Sequence, residues 1–431
     1  MTTRKDFLAS SLATGASAML GGCRMFRNPE VGKPYTGWHE GEMDLHFIYT
    51  GCGENTFFRL PDGTTVLCDA GDFYRPQATF VVPLLPSHDL LGGEWVARYM
   101  RYVCGDLSPF REKAVDYAVF THWHSDHIGH AVFDGTDGPG AAWRYRKTDD
   151  GRKINGFLCV AEQFRFRRYL GHQYPASNAH NSADSSIKLL VPWVDGQKSK
   201  GELDAESFKP GALDQIALVR NPRKYRADFH VRNICANGVL WDGAHGLRDY
   251  VAEHVAATGK DYVSQNSLSL GYVIEYGKFR FFTGGDVQGP LKGPGGKTVD
   301  YEGLVGERVG PLSVCKMNHH GCNNAMRDGF VNAVKAQTYI GCMWCPVQAF
   351  PDALDRMWRA GAHDGGRPLL LPQLVGSLQK DGEEKFGYKV PPKGVYHVIV
   401  KVFPGGERYR TYLVDPRDED FRVLAAYDRL A

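Results

Sequence analysis

The segment Thr121-His122-Trp123-His124-Ser125-Asp126-His127-Ile128-Gly129-His130 directly follows the apolar run Val115-Asp116-Tyr117-Ala118-Val119-Phe120. In an extended chain alternate side chains share a face, so a strand ending here aims His122 and His124 at one point. Asp126 and His127 reach that point from the turn that follows. Neutral imidazoles beside a carboxylate suit zinc, iron or manganese, and the mixture of nitrogen and oxygen donors leaves the choice among them open. Ser125 reads as the cap of a short helix after the motif.

Other strands end in the same way. Asp44 to Thr50, Thr56 to Leu60 and Thr65 to Cys68 form an antiparallel meander with a Pro61-Asp62-Gly63 turn, closing at Asp69-Ala70-Gly71. There a carboxylate emerges beside a glycine that permits close backbone approach. Ser267 to Tyr276 and Phe279 to Thr283 form a hairpin that ends at Gly284-Gly285-Asp286, and Leu312 to Met317 leads into Asn318-His319-His320-Gly321. Helices are expected around Glu94 to Met100, over Leu247 to Ala257 and over Asp352 to Ala360, with a terminal hairpin of His397 to Phe403 and Tyr409 to Val414. Donors at strand ends far apart in sequence converge when the sheets pack together.

The first 23 residues read as a processing segment. Thr3-Arg4-Lys5-Asp6-Phe7-Leu8 resembles a twin-arginine export signal, and Leu20-Gly21-Gly22-Cys23 resembles a lipobox. The expectation is an exported lipoprotein held to the membrane at Cys23 and facing the periplasm or cell exterior. A tether follows over residues 24–43, then a domain over 44–415 with a long insertion at about 131–262, then a tail over 416–431. With 51 basic and 49 acidic residues, the net charge of +2 gives no global argument for a nucleic-acid partner. Ten cysteines fit neither a disulfide scaffold nor a four-sulfur zinc module, and Cys342-Met343-Trp344-Cys345 is expected to be a packed or disulfide-linked pair.

Leu60 to Thr64, Asp69-Ala70-Gly71, Thr121 to Gly129, Asn266-Ser267-Leu268, Gly285-Asp286 and Lys316 to Gly321 together resemble the metallo-β-lactamase superfamily. Within it they are most similar to the ComEC-like branch, named for a hydrolase domain attached to DNA-uptake channels. The resemblance implies an α/β fold, a four-layer αββα metallo-β-lactamase sandwich with a metal site at one edge of the sheets. It implies metal ligands at His122, His124, Asp126 and His127, a metal-bridging carboxylate at Asp286, and a further ligand at His319 or His320. His319 is preferred because it directly ends its strand. Catalytic roles fall to Asp126 and His320, while Asp69 and Asn266 stand behind the ligands, Asp69 orienting an imidazole. Tyr262-Val263-Ser264-Gln265-Asn266 lacks a histidine that many members carry, so one metal or two remain open, with zinc expected and manganese or iron as alternatives.

The implied chemistry is hydrolysis by metal-activated water without a protein nucleophile. Basic-aromatic clusters at Trp143 to Lys147, Phe164 to Tyr169 and Arg220 to Arg226 suit a phosphodiester-type or small phosphate-bearing substrate. A carboxylic-ester, lactone or β-lactam hydrolase and a non-catalytic ligand-binding lipoprotein are the alternatives.

Overall fold

A computed structural model describes residues 30–73, 84–130, 144–175, 187–260, 263–345, 347–373, 394–418 and 420–431. The expected export signal, Cys23 and Trp143 lie outside these residues. Among them no helix is long and apolar enough to cross a membrane.

Two sheets organise the chain. The first orders nine strands as Val423–Leu430, Arg408–Val414, His397–Val402, Met43–Phe47, Asn55–Arg59, Thr65–Ala70, Ala114–Phe120, Arg165–Gly171 and Asp204–Ser207. The second orders eight as Leu247–Asp249, Val239–Trp241, Phe229–Ala236, Gly271–Tyr276, Phe279–Thr283, Val314–Lys316, Thr338–Gly341 and Leu369–Pro372. The last four strands of each sheet run parallel, and hairpin pairings build the remainder.

Strand alternation converts these sheets into four layers. Val66 and Cys68 face the second sheet while Leu67 faces helices; across the interface Phe281 faces the first sheet while Phe282 faces helices. Phe47, Phe58 and Phe281 meet edge to face between the sheets, each worth roughly 1.5–3 kcal/mol of burial. Helices Gly92–Arg101, Phe157–Ala161 and Ile187–Ser199 pack on the outer face of the first sheet. Tyr250–Thr258, Tyr301–Val309, Asp328–Val334 and Pro351–Ala360 cover the second. The layer order is therefore αββα.

Segments that the sequence pattern left outside the sandwich join it. Val423–Leu430 is an edge strand whose outward residues are half-exposed, so its period is faint. Tyr35 and Trp38, in the expected tether, are buried, and the Gly32 amide donates to the Val423 carbonyl. The described part of 131–262 supplies strands to both sheets. Those strands carry exposed or half-exposed polar residues, among them Arg165, Arg167, Asp204, Glu206, His230 and Arg232, which hides them among the surrounding polar residues. Leu247–Asp249 is a strand, and the expected helix begins only at Tyr250, where the Asp249 carboxylate accepts from the Ala252 amide at 2.8 Å. All nine cysteines among the described residues are free, so Cys342 and Cys345 are not disulfide-linked.

Candidate metal centre

The metal-capable side chains gather where parallel strands end. Asp69 lies near the end of Thr65–Ala70, His122 follows Ala114–Phe120, Asp286 follows Phe279–Thr283, and His320 follows Val314–Lys316. That edge is where open α/β sheets collect ligands. Backbone bonds pin the histidine turn in place: the Glu54 amide donates to the Asp126 carbonyl at 2.7 Å, and the Asp72 amide to the Ser125 carbonyl at 3.0 Å. The chains approach so closely that a Cβ on Gly71 would lie 1.9 Å from the Asp126 carbonyl oxygen, so this position requires glycine.

Asp286 Oδ2 is the common point. It lies 3.2 Å from His127 Nε2, 3.5 Å from His320 Nε2, and 3.8 Å from both His122 Nε2 and His319 Nε2. Two donor groups share this carboxylate: Glu54, His127, Asp286 and His320 in one, His122, His124 and Asp286 in the other, with the donor atoms of each group within 4.8 Å of one another. Asp126 Oδ2 adjoins the first group, 3.1 Å from His320 Nε2 and 3.9 Å from His127 Nε2.

Hydrogen bonds decide which nitrogen each ring presents. His127 Nδ1 donates to Asp69 Oδ2 at 2.8 Å, and His320 Nδ1 donates to the Cys342 carbonyl at 2.8 Å. In the neutral rings both Nε2 lone pairs then face Asp286. His127 Nε2 is buried with no hydrogen-bond partner, a condition that costs about 1–3 kcal/mol when left unmet. A divalent cation satisfies this donor set, and imidazole mixed with carboxylate fits zinc, manganese or iron.

Electrostatics sort the rings. Burial pushes His122 well below the ordinary imidazole range, with His127 and His124 adding to it. Burial acts the same way on His127 and His320, but Asp286 and Asp126 outweigh it, raising His127 well above that range and His320 to about 9. In return, the imidazoles overcome the burial cost of Asp126 and Asp286 and hold both carboxyls low. Holding a cation here would require His127 and His320 to be neutral, so binding would be linked to release of their protons.

The structure brings His122, His124, Asp126, His127 and Asp286 together, with Asp69 behind His127. Asp69 also accepts from the Thr121 amide at 2.8 Å and hydroxyl at 2.7 Å, from a left-handed backbone position with φ 61°. Of the adjacent pair, His320 rather than the preferred His319 falls in the buried donor group, while His319 Nε2 lies 3.8 Å from Asp286 Oδ2. Both take left-handed conformations in one tight turn, φ 45° and 54°, and their rings diverge. His319 Nε2 accepts from Asn266 Nδ2 at 3.0 Å and its Nδ1 donates to Asn324 Oδ1 at 2.8 Å, so side-chain amides take both nitrogens. His320 turns inward and joins the buried group. Asn266 thus stands behind His319. Ser125 does not cap the helix Ser125–Ile128; it is its first residue, and its hydroxyl lies 3.3 Å from His130 Nδ1.

Several side chains of the basic clusters are engaged by carboxylates outside the donor groups. Arg167 and Arg220 pair with Asp116, near the start of the strand whose far end carries His122. Arg168 meets Glu206, Lys224 meets Glu40, and Arg146 meets Glu94. Around the donors stand neutral side chains instead: Gln288 Oε1 accepts from Asn324 at 2.6 Å, and the rings of Phe73 and Trp344 lie 4.9 Å apart beside His320.

Sequence reading passed over Glu54, Lys316 and His172. Glu54 sits in a glycine turn that reads as a simple reversal. Lys316 had a signal, a lone charge inside an apolar strand, which is buried only when paired. His172 follows the next parallel strand, 3.2 Å from Gln265 Oε1 and stacked edge-on against Trp123. Glu302 anchors the His319-His320 loop by accepting from Asn318 Nδ2 at 2.9 Å and from the amides of Met326 at 2.7 Å and Arg327 at 3.0 Å.

Burial raises the Glu302 carboxyl from 4.5 to about 7, against the three donors that lower it. The folded chain therefore keeps a proton that the unfolded chain releases. This contribution is full below pH 4.5 and is lost as pH rises through 7, on the order of 3 kcal/mol. Glu302→Gln is expected to flatten the slope of urea midpoint against pH in that window. It also adds a constant cost of about 1–3 kcal/mol, because its amide meets the Arg327 N–H donor to donor.

No family model matches the chain, and no curated protein matches it. Among solved structures it is similar to a CmlA β-hydroxylase variant, with TM-score 0.35 and 11% identity over 76% of this chain and 52% of that one. The chain thus spans about half the length of that protein. Unliganded yeast PDE1 is similar at TM-score 0.30 and 10% identity over 74% and 83% of the two chains. Human tRNase Z, short form, is similar at TM-score 0.30 and 11% identity over 76% and 92%. The chain's own layers, cores and strand-end donor edge make it an αββα sandwich.

Proposed function

We propose that this protein is a metal-dependent hydrolase acting on a phosphodiester-type substrate. The observation that carries the reading is the pair of donor groups sharing Asp286 Oδ2, an arrangement suited to two adjacent cations. One group would be His122, His124 and Asp286; the other Asp126, His127, His320 and Asp286. When bound, such ions acidify water and steady both the attacking and leaving oxygens of an in-line displacement. Asp126, less enclosed than the other donors of its group, would orient the incoming water as a hydrogen-bond acceptor. Trp344 and Phe73 wall the site on the His320 side, and Asn266, Gln288 and Asn324 offer neutral hydrogen-bonding groups on the His319 side.

A second reading, hydrolysis of a carboxylic ester or lactone, is favoured by one observation: four of the arginines singled out for phosphate, Arg146, Arg167, Arg168 and Arg220, are paired with carboxylates outside the donor groups. A panel of phosphodiesters, esters and lactones on metal-loaded protein separates the two. Turnover of lactones or esters with none of any phosphodiester sinks the first reading. A metal-free chain that binds ligand tightly and turns over nothing would leave the non-catalytic alternative.

Asp69→Asn is expected to weaken metal binding about 10–100-fold, because it removes the acceptor that fixes the His127 tautomer. Competition with a chromogenic chelator measures it. Unchanged affinity would take Asp69 out of the site.

From the resemblance of Thr3 to Leu8 to a twin-arginine signal and of Leu20 to Cys23 to a lipobox, we also propose an exported lipoprotein anchored at Cys23. Radiolabelled lipid incorporation that persists in Cys23→Ser would remove that reading.

A further inference from the structure

Lys316 is wholly buried beneath the candidate centre. Its Nζ lies 2.5 Å from Glu54 Oε2, donates to the Gly285 carbonyl at 2.7 Å, and stands 3.8 Å from Asp286 Oδ1. The two oxygens of Asp286 therefore have different neighbours. Oδ2 faces the rings of His122, His127, His319 and His320, whereas Oδ1 faces an ammonium. Glu54 is equally buried, and its carboxylate lies within reach of His127, Asp286 and His320, close enough to serve as a ligand itself.

We infer that Lys316 is a positioning residue with two effects: it holds Asp286 as a one-oxygen bridge through Oδ2, and it keeps Glu54 as its own counter-ion rather than a metal ligand. The inference rests on the proposed metal pair. The physical reason is charge. A carboxylate between two cations and an ammonium lowers its energy by giving one oxygen to each side, since Coulomb terms at these separations are large in a buried site. A buried ammonium likewise keeps a carboxylate partner, because either charge left alone pays a desolvation cost. The backbone contributes too, since the Gly285 carbonyl fixes Nζ from the residue next to Asp286.

The test uses full-length wild type, Glu54→Gln and the double variant Lys316→Met/Glu54→Gln, which removes both buried charges and so avoids an unpaired one. Each is loaded with manganese, bound equivalents are counted by elemental analysis, and the exchange-coupled signal of a manganese pair is recorded by electron paramagnetic resonance; circular dichroism verifies folding. Glu54→Gln is expected to keep both equivalents, affinities within about threefold, and the coupled signal. The double variant is expected to fold but to lose the coupled signal, with the second equivalent weakened at least about tenfold. Loss of an equivalent in Glu54→Gln alone makes Glu54 a ligand and overturns the inference. So does an unchanged coupled signal in the folded double variant. If the double variant does not fold, Lys316→Gln/Glu54→Gln replaces it and is read in the same way: loss of the coupled signal supports the positioning role, and an unaltered signal refutes it. A wild-type chain that takes up no metal pair defeats the proposed centre itself, a result distinct from either variant outcome.

Discussion

Asp286→Ala is expected to lower turnover by at least about a thousandfold, equivalent to roughly 4 kcal/mol of transition-state stabilisation. It is also expected to lower the bound metal to one equivalent or less. Both effects have one origin: Oδ2 faces rings of both donor groups, within 3.8 Å of His122 on one side and of His127 and His320 on the other. Removing it separates the two groups and leaves Lys316 and Glu54 beneath a cavity. Turnover and elemental analysis on the same preparation test this. Retained activity with two equivalents would take Asp286 out of the bridging role, whereas lost activity with intact metal would assign it to the reaction alone.

Stripping metal with a chelator is expected to abolish turnover and to lower the melting temperature. Ligand held only by the folded state stabilises by about 4 kcal/mol at a thousand times its dissociation constant. A pH signature should accompany the loss. In the metal-free chain His320 titrates near 9 against an ordinary 6.5, because Asp286 and Asp126 outweigh burial. A folded-state pKa raised in this way contributes stability that is complete below pH 6.5 and disappears as pH rises through 9. Metal-free protein should therefore lose stability across that window, while the loaded protein, whose His320 nitrogen is no longer open to a proton, should show a flatter profile. Thermal melts at fixed ionic strength with and without chelator measure both. Superimposable profiles would mean that the histidines hold no metal.

Much of this architecture was legible because its determinants are local. The H-x-H-x-D-H segment, Asp69-Ala70-Gly71 and Gly285-Asp286 each combine a strand with an abrupt polar end, and strand periodicity survives wherever both faces are buried. Val423–Leu430 and the strands within 131–262 were not legible for the opposite reason. Edge and half-exposed strands carry Arg, Glu and Asp on one face, which reads as loop. The choice between His319 and His320 was likewise beyond local reading. Adjacent residues in a left-handed turn send their rings apart, and contacts with Asn266, Asn324 and Cys342 decide which ring is tied by side-chain amides and which joins the buried donor group.

What the amino-acid sequence determined by itself was the chemistry on offer: imidazoles and carboxylates at strand ends, in numbers and spacing fit for a divalent metal. Tertiary structure alone decided how those groups are shared. It placed Arg167 and Arg220 with Asp116 near the start of its strand, made Asp286 Oδ2 the common atom, and set Lys316 against Glu54. The reason is that a residue type carries its charge and donor atoms wherever it stands. Its partners depend on which strands lie side by side, and that follows from burying Phe47, Phe58 and Phe281 between two sheets rather than from any short run of letters.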